Sequence, residues 1–221
     1  MKSIILIILT TIACNVMGQT HFIGIKGGAN FTNVQTIKFL NDNEKRIGFS
    51  GGLTYEYLFS RHFSISADLI YDQRGFINYL IFTDSLGNPT GRKEPTYFYY
   101  DYFSIPIMMG FMIGDKIYGF AKLGLCPSLP IYATTKNSLF DSGGNIVGAQ
   151  TYNVTDRITK LDLASVIQLG VGYKIKDKVA MITSVSFLKS FTNIANSNYF
   201  KDSSIKHYGI SVSAGLIYSL N

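Results

Sequence analysis

The chain has 221 residues, enough for one domain with a sizeable core, and 20 basic against 14 acidic residues leave a formal charge of +6. Only 15% of residues are charged, against roughly 25% in ordinary globular proteins, while glycine (21), tyrosine (15) and phenylalanine (16) are abundant. No basic cluster is longer than Arg92-Lys93, which argues against a nucleic-acid surface and leaves the basicity as a weak affinity for anionic lipid or polysaccharide.

At the N-terminus Lys2 precedes an apolar run from Ile4 to Ala13, interrupted by Thr10 and Thr11, and then Asn15-Val16-Met17-Gly18-Gln19. A positive start, a short apolar core and small residues at the end describe a secretory signal peptide over 1–18. The run is too short for a spanning helix, which needs about 20 residues. Cleavage after Gly18 leaves Gln19 first and 19–221 as one domain. A rival reading lipidates Cys14 within Thr11-Ile12-Ala13-Cys14, although Thr11 stands where Leu is usual. After removal of the leader only Cys126 remains, which excludes an intrachain disulfide and a cysteine-based metal site.

Eight segments then alternate at period two: 21–31, 47–59, 63–76, 99–113, 117–132, 161–175, 179–191 and 207–220. Each can cross a bilayer as a tilted strand of about 9–11 residues. Ser60-Arg61-His62, Gly114-Asp115-Lys116 and Lys176-Asp177-Lys178 read as tight turns, and the links 32–46, 77–98, 133–160 and 192–206 as long and polar. Short turns alternating with long loops are the plan of outer-membrane barrels, with the short turns periplasmic. Asp84-Ser85-Leu86-Gly87-Asn88-Pro89 and Asp141-Ser142-Gly143-Gly144-Asn145 are turn signals inside two of the links, so the flanking strands are expected to extend above the membrane.

The faces follow from cost. A Lys or Arg on the lipid face at mid-bilayer is unfavourable by about 2–4 kcal/mol, so the charged parity of each segment is the lumen. This turns inward Lys26, Glu56, Asp68, Asp72, Arg74, Lys122, Asp162 and Lys174, four acidic and four basic, as a paired lumen network. Eight strands leave an interior that side chains fill, which disfavours a general porin. The opposite parity, such as Phe63, Ile65, Ala67, Leu69 and Tyr71, faces lipid. Tyr57, Phe59, Phe111, Tyr173 and Tyr218 are expected in one aromatic girdle and Tyr71, Tyr97, Tyr99 and Tyr208 in the other.

The last segment carries the clearest signal. Tyr208, Ile210, Val212, Ala214, Leu216, Tyr218 and Leu220 alternate with His207, Gly209, Ser211, Ser213, Gly215 and Ser219, and Ile217 is the one large apolar residue on the polar side. Ser213, Gly215, Tyr218 and Leu220 resemble the C-terminal assembly signal of bacterial outer-membrane barrels, with Asn221 as an extra terminal residue. The fold class expected is therefore all-β: an eight-stranded antiparallel up-and-down transmembrane β-barrel with long extracellular loops and short periplasmic turns.

Several motifs resemble the PorT-like outer-membrane β-barrel family of Bacteroidetes. They are Gly24-Ile25-Lys26-Gly27-Gly28-Ala29-Asn30-Phe31, Gly48-Phe49-Ser50-Gly51-Gly52-Leu53, Asp68-Leu69-Ile70-Tyr71 with Gly75, and Tyr102-Phe103-Ser104-Ile105-Pro106-Ile107-Met108-Met109. Asp68 and Ser104 stand where the family usually has Glu, and Gly110 near its usual Lys. The resemblance implies an outer-membrane location and the eight-stranded barrel, and little about activity.

The function expected is a structural or interaction scaffold working through loops or the periplasmic rim, with surface adhesion to glycans, lipids or proteins as the alternative and a hydrolase or small pore behind both. Expected partners are outer-membrane lipid and lipopolysaccharide, the barrel-assembly machinery, and a protein or glycan at the extracellular loops. No cofactor, metal site or catalytic residue is expected. Of the histidines only His207 lies toward the outer rim, near Asp202, Ser203 and Ser204, while His21 and His62 lie toward the periplasm, so a nucleophile and base are not legible. The glycine pairs Gly27-Gly28, Gly51-Gly52 and Gly143-Gly144 lack a following lysine and are not phosphate loops.

Overall fold

In a computed structural model that describes residues 20–36, 43–141, 143–196 and 204–220, the alternating segments close into a ring. The strands are β1 (Thr20–Thr36), β2 (Asn43–Leu58), β3 (Phe63–Thr83), β4 (Pro89–Ser104), β5 (Ile107–Gly114), β6 (Ile117–Phe140), β7 (Ile146–Asn153), β8 (Asp162–Lys176), β9 (Val179–Ser190) and β10 (Ile205–Ser219). Every pairing is antiparallel, and β10 returns to β1 with Phe22 opposite Ser219 and Thr36 opposite Ile205. β4 and β5 share one place between β3 and β6, and β7 pairs only with β6, so the ring has eight strand positions. Closure satisfies in hydrogen bonds the backbone groups that lipid cannot satisfy. The expected signal peptide over 1–18, with Cys14, and Asp202, Ser203 and Asn221 lie outside the described residues.

Two prolines sit where the ladder can spare a donor. Ser104 pairs with Ser128 and Ile107 with Leu125, so the register is the same on both sides of Ile105-Pro106 and the strand is interrupted without a bulge. The Ile105 amide still donates to the Pro127 carbonyl (2.9 Å), and the Pro106 carbonyl accepts from the Asp68 amide (3.0 Å). Pro130 lies at a true irregularity, where Asp101 pairs with Tyr132 but Tyr102 with Pro130, leaving Ile131 extra.

The outer wall is apolar. Ile25, Leu53, Leu69, Leu123, Leu169 and Leu216 are all more than a third exposed, in a band that runs round the ring. So large an apolar surface would associate in water; in a bilayer it is solvated. Rings gather at both ends of the band. At the short-turn end His21 stacks near Tyr57 (4.9 Å) and Phe63 meets Phe111 edge-on (5.4 Å). At the long-loop end Tyr97 and Tyr99 stack at 6.1 Å, and the Arg46 guanidinium lies 4.4 Å over Tyr99.

Two of the links expected to be long and polar, 77–98 and 133–160, are largely strand, as their turn signals suggest. β3 and β4 continue as a hairpin beyond the ring to the turn at Asp84–Asn88, and β6 with β7 does the same to Asp141–Asn145. The return arm β7 does not run on into β8; a 3-10 turn over Thr155–Arg157 carries the chain inward, and Ile158 bridges to Ala195. Both tips are Asp-Ser-x-Gly-Asn turns of the same design. Asp84 accepts from the Leu86 and Asn88 amides, and Asp141 from those of Gly143 and Asn145, all at 2.8–2.9 Å. Arg92 joins the hairpins by donating to the Gly144 carbonyl (2.5 Å) while lying 4.7 Å over Phe82, which meets Phe140 edge-on.

Candidate functional site

The lumen holds the chemistry. Inward positions on β1, β2, β3, β6 and β8 bring three cations and four carboxylates together in stacked groups. Nearest the short turns, Lys122 on β6 reaches Glu56 on β2 (2.8 Å), and Ser64 donates to the same carboxylate (2.6 Å). Above it Lys26 on β1 pairs with Asp68 on β3 (2.5 Å), whose other oxygen accepts from Thr54 (2.5 Å). In the upper half Arg74 donates from Nε to Asp72 (2.7 Å) and from Nη1 to Asp162 (2.6 Å). Its Nη2 donates to Ser104 (3.1 Å) and Ser128 (2.9 Å), and the guanidinium lies 4.7 Å over the Tyr102 ring. Asn30 completes Asp72, while Ser190 (2.8 Å) and Thr192 complete Asp162.

At 1% exposure Arg74 is out of reach of solvent, and so are Asp68, Asp72 and Asp162. Charges in such surroundings persist only when paired and hydrogen-bonded, and each of these carboxylates has at least two donors. Of the eight charges read inward from the sequence, the structure brings seven into this set. Lys174 keeps the inward parity but is exposed on the short-turn rim, so it does not join the network. The strand there has passed the last lumen layer, and the period-two reading has no means of marking where the lumen ends.

Above Arg74 the lumen is apolar. Val34, Phe76, Tyr100, Tyr102, Ala133, Ile158 and Ile194 form one buried cluster, with Phe98, Val154 and Ile205 against it. Ile158 and Ile194 come from the links after β7 and β9, folded inward over the strand ends. This cap was not legible in the sequence, because single isoleucines in polar links carry no periodicity. His207 lies within it at 0% exposure, edge-on to Tyr100 (5.1 Å) and Tyr102 (5.7 Å). Its Nε2 is 3.4 Å from the Tyr102 hydroxyl, and Nδ1 has no hydrogen-bond partner among the described residues. His207, expected toward the outer rim, thus stands near the long-loop end of β10 with its side chain turned into the packed interior. Cys126 is also buried, between Ser128 (3.5 Å) and the Met108, Ala164 and Val166 layer.

The terminal strand is laid out as its pattern requires. Tyr218 and Leu220 are exposed on the outer wall, while Ser213 and Gly215 turn inward opposite Gly28 and Lys26. Ile217 is buried in the lumen at the short-turn end, against Tyr118, Phe120 and Ala180. Among the described residues no His/Cys/Asp/Glu group could hold a metal ion.

A closed antiparallel ring with a lipid-facing wall, aromatic belts and a paired ionic interior defines a membrane-spanning β-barrel of the outer-membrane type. The chain belongs to the outer membrane protein beta-barrel domain family, whose model matches residues 17–196, and it is accordingly a protein of the outer membrane. Among solved structures it is similar to Neisserial surface protein A, with 13% identity over 91% of this chain and 98% of that one and a TM-score of 0.50. OprG from Pseudomonas aeruginosa is 11% identical over 91% and 96% of the two chains, at a TM-score of 0.47. Ail from Yersinia pestis is 14% identical over 89% and 98%, at 0.41. At 13% identity the likeness to Neisserial surface protein A is one of fold alone. No curated protein sequence matches closely enough to add a nearer relative.

Proposed function

We propose that this protein is a non-enzymatic outer-membrane scaffold of the PorT-like type found in Bacteroidetes, acting through its hairpins and its periplasmic rim rather than through its lumen. The observation that carries the reading is the blocked interior: Arg74 at 1% exposure joins opposite walls, and an apolar cap closes over it. A barrel without a continuous passage can act only at its ends. In this reading the signal peptide is removed, the short turns face the periplasm, and the two clamped hairpins project outward. Its lipid contacts include lipopolysaccharide, and the barrel-assembly machinery reads Ser213, Gly215, Tyr218 and Leu220 on insertion.

Adhesion is the second reading, favoured by the exposed Ile146, Val147 and Tyr152 on β7, which would meet a surface outside the cell. A photo-crosslinking residue placed at Val147 or at Lys178 in living cells separates the two ends. A discrete adduct at either position supports the scaffold reading and names the end that works. Conductance or hydrolysis without any adduct at either end contradicts it.

A further inference from the structure

We propose that the short-turn end of the lumen is a binding pocket for a small single-chain anionic amphiphile, whose apolar chain enters the barrel and whose acidic head stays among the lysines of the mouth. A cavity of about 300 Å³ opens there, at the lower bound of ligand sites, which span about 300–1,000 Å³. It is blind. Glu56, held by Lys122 (2.8 Å), lines its inner end, and the ionic and apolar layers above close the way through. A ligand must therefore enter and leave by the mouth.

Part of the wall is apolar, beside Glu56 and His62, and its shape is set by glycine. Phe22, Met112, Tyr118, Ala180 and Ile217 line the cavity. The Tyr118 ring lies flat on β8 only because residue 172 is glycine: a Cβ there would sit 2.0 Å from the ring carbon bearing the hydroxyl. Gly170 does the same for Phe120, at 2.3 Å. Two large rings that could fill the lumen are thus folded against its wall and pack with Ile217 and Ala180, and the cavity lies on the mouth side of that cluster, lined by Tyr118 and Ile217. This is why the polar face of the last strand carries one large apolar residue at this level.

The mouth is positively charged. Arg61, Lys174, Lys176 and Lys178 border it, against Asp115 and Asp177. Asp115 is already engaged by Arg61 across the two turns (3.6 Å), and Asp177 stands between two lysines. The excess at the mouth is therefore ammonium, and Lys116 adds another beside it, 5.8 Å over the Tyr173 ring. An apolar blind cavity below a ring of lysines matches a molecule with one apolar chain and one anionic end. A cationic head would be repelled, and a neutral one would gain only the chain contacts. The pocket does not rest on a partner at the hairpins, whose absence would leave the cavity unchanged, while a partner at the periplasmic rim would share Lys178 with its mouth.

The test is calorimetric titration of the protein in phosphatidylcholine nanodiscs with octanoate, octylammonium and octanol, each corrected by protein-free nanodiscs. Octanoate should bind saturably at one site, octanol more weakly, and octylammonium not at all. Lys176→Glu with Lys178→Glu, both exposed and outside the packed lumen, should weaken octanoate at least tenfold while leaving octanol unchanged. Gly172→Ala should push Tyr118 into the cavity and remove binding of both, whereas Tyr118→Ala should deepen it and shift preference from octanoate to decanoate. Octanoate heats equal to those of empty nanodiscs, equal binding of octylammonium, or indifference to the lysine pair would each overturn the proposal. If the glycine variant does not assemble, the exposed lysine pair decides alone.

Discussion

At the scale of single residues Arg74 bears the most. It has two carboxylate partners, Asp72 and Asp162, and it ties β3 to β8 across the lumen. Removing one member of a buried ionic group leaves uncompensated charge and costs about 3–5 kcal/mol. Arg74→Leu should therefore lower the thermal midpoint of the barrel sharply, as read by the temperature at which unboiled protein loses its folded gel mobility. Adding Asp72→Asn and Asp162→Asn should recover most of the loss, because the destabilisation comes from unpaired carboxylates; no recovery would show that Arg74 acts through packing on Tyr102 instead. Lumen size limits which residues can be exchanged. Ser66 and Ser186 both face inward, but Ser66 is 1% exposed and sits opposite Met108, so an arginine there has no room even though the parity suits it.

The tip aspartates behave differently, because they stand in water. Hydrogen bonds from the Asn88 amide, and from the Asn145 amide in the second hairpin, hold Asp84 and Asp141 below the usual aspartate range. A carboxyl with a lowered value in the folded turn contributes stability that is complete above its ordinary value and is lost as pH falls through the lowered one. Both tips should thus stay closed at neutral pH and loosen only below about pH 4. Amide exchange at Gly87 and Gly144, whose amides donate to the Asp84 and Asp141 carbonyls, measures this directly, and Asp84→Ala should give fast exchange at Gly87 at every pH.

At the scale of elements, the sequence exposed what the bilayer enforces and little else. Where a strand has lipid on one side and packed lumen on the other, apolar and polar residues must alternate, and the eight segments, their faces and seven of the eight inward charges were readable. Above the membrane both faces of a hairpin meet water and the alternation fades, so in residues 77–83, 89–98, 133–140 and 146–153 only the turn signals at Asp84–Asn88 and Asp141–Asn145 point to the hairpins, and the strand limits are not legible. The cap was hidden for a related reason: Ile158 and Ile194 act through tertiary position alone. Ile217 was visible as an irregularity, yet its meaning required Tyr118 and Gly172 beside it. The face assignment makes a sharp demand. Leu69 and Leu169 lie on the outer wall at 40% and 59% exposure, so Leu→Arg at either should cost about 2–4 kcal/mol. The assembled fraction in the outer membrane should fall accordingly; unchanged assembly would mean the faces are reversed or the sites lie outside the bilayer.

For the whole molecule, closure of β1 on β10 and the filled interior make one cooperative unit, and the account stands or falls on that interior being impassable. Single-channel recording of the purified protein in planar bilayers tests this most directly. A lumen crossed by Arg74 and closed by the Phe76, Tyr100 and Ile194 layer predicts closed traces or small flickers, with Arg74→Leu raising the frequency of openings. Large, steady conductance from the unaltered protein would contradict the account and make the barrel a pore.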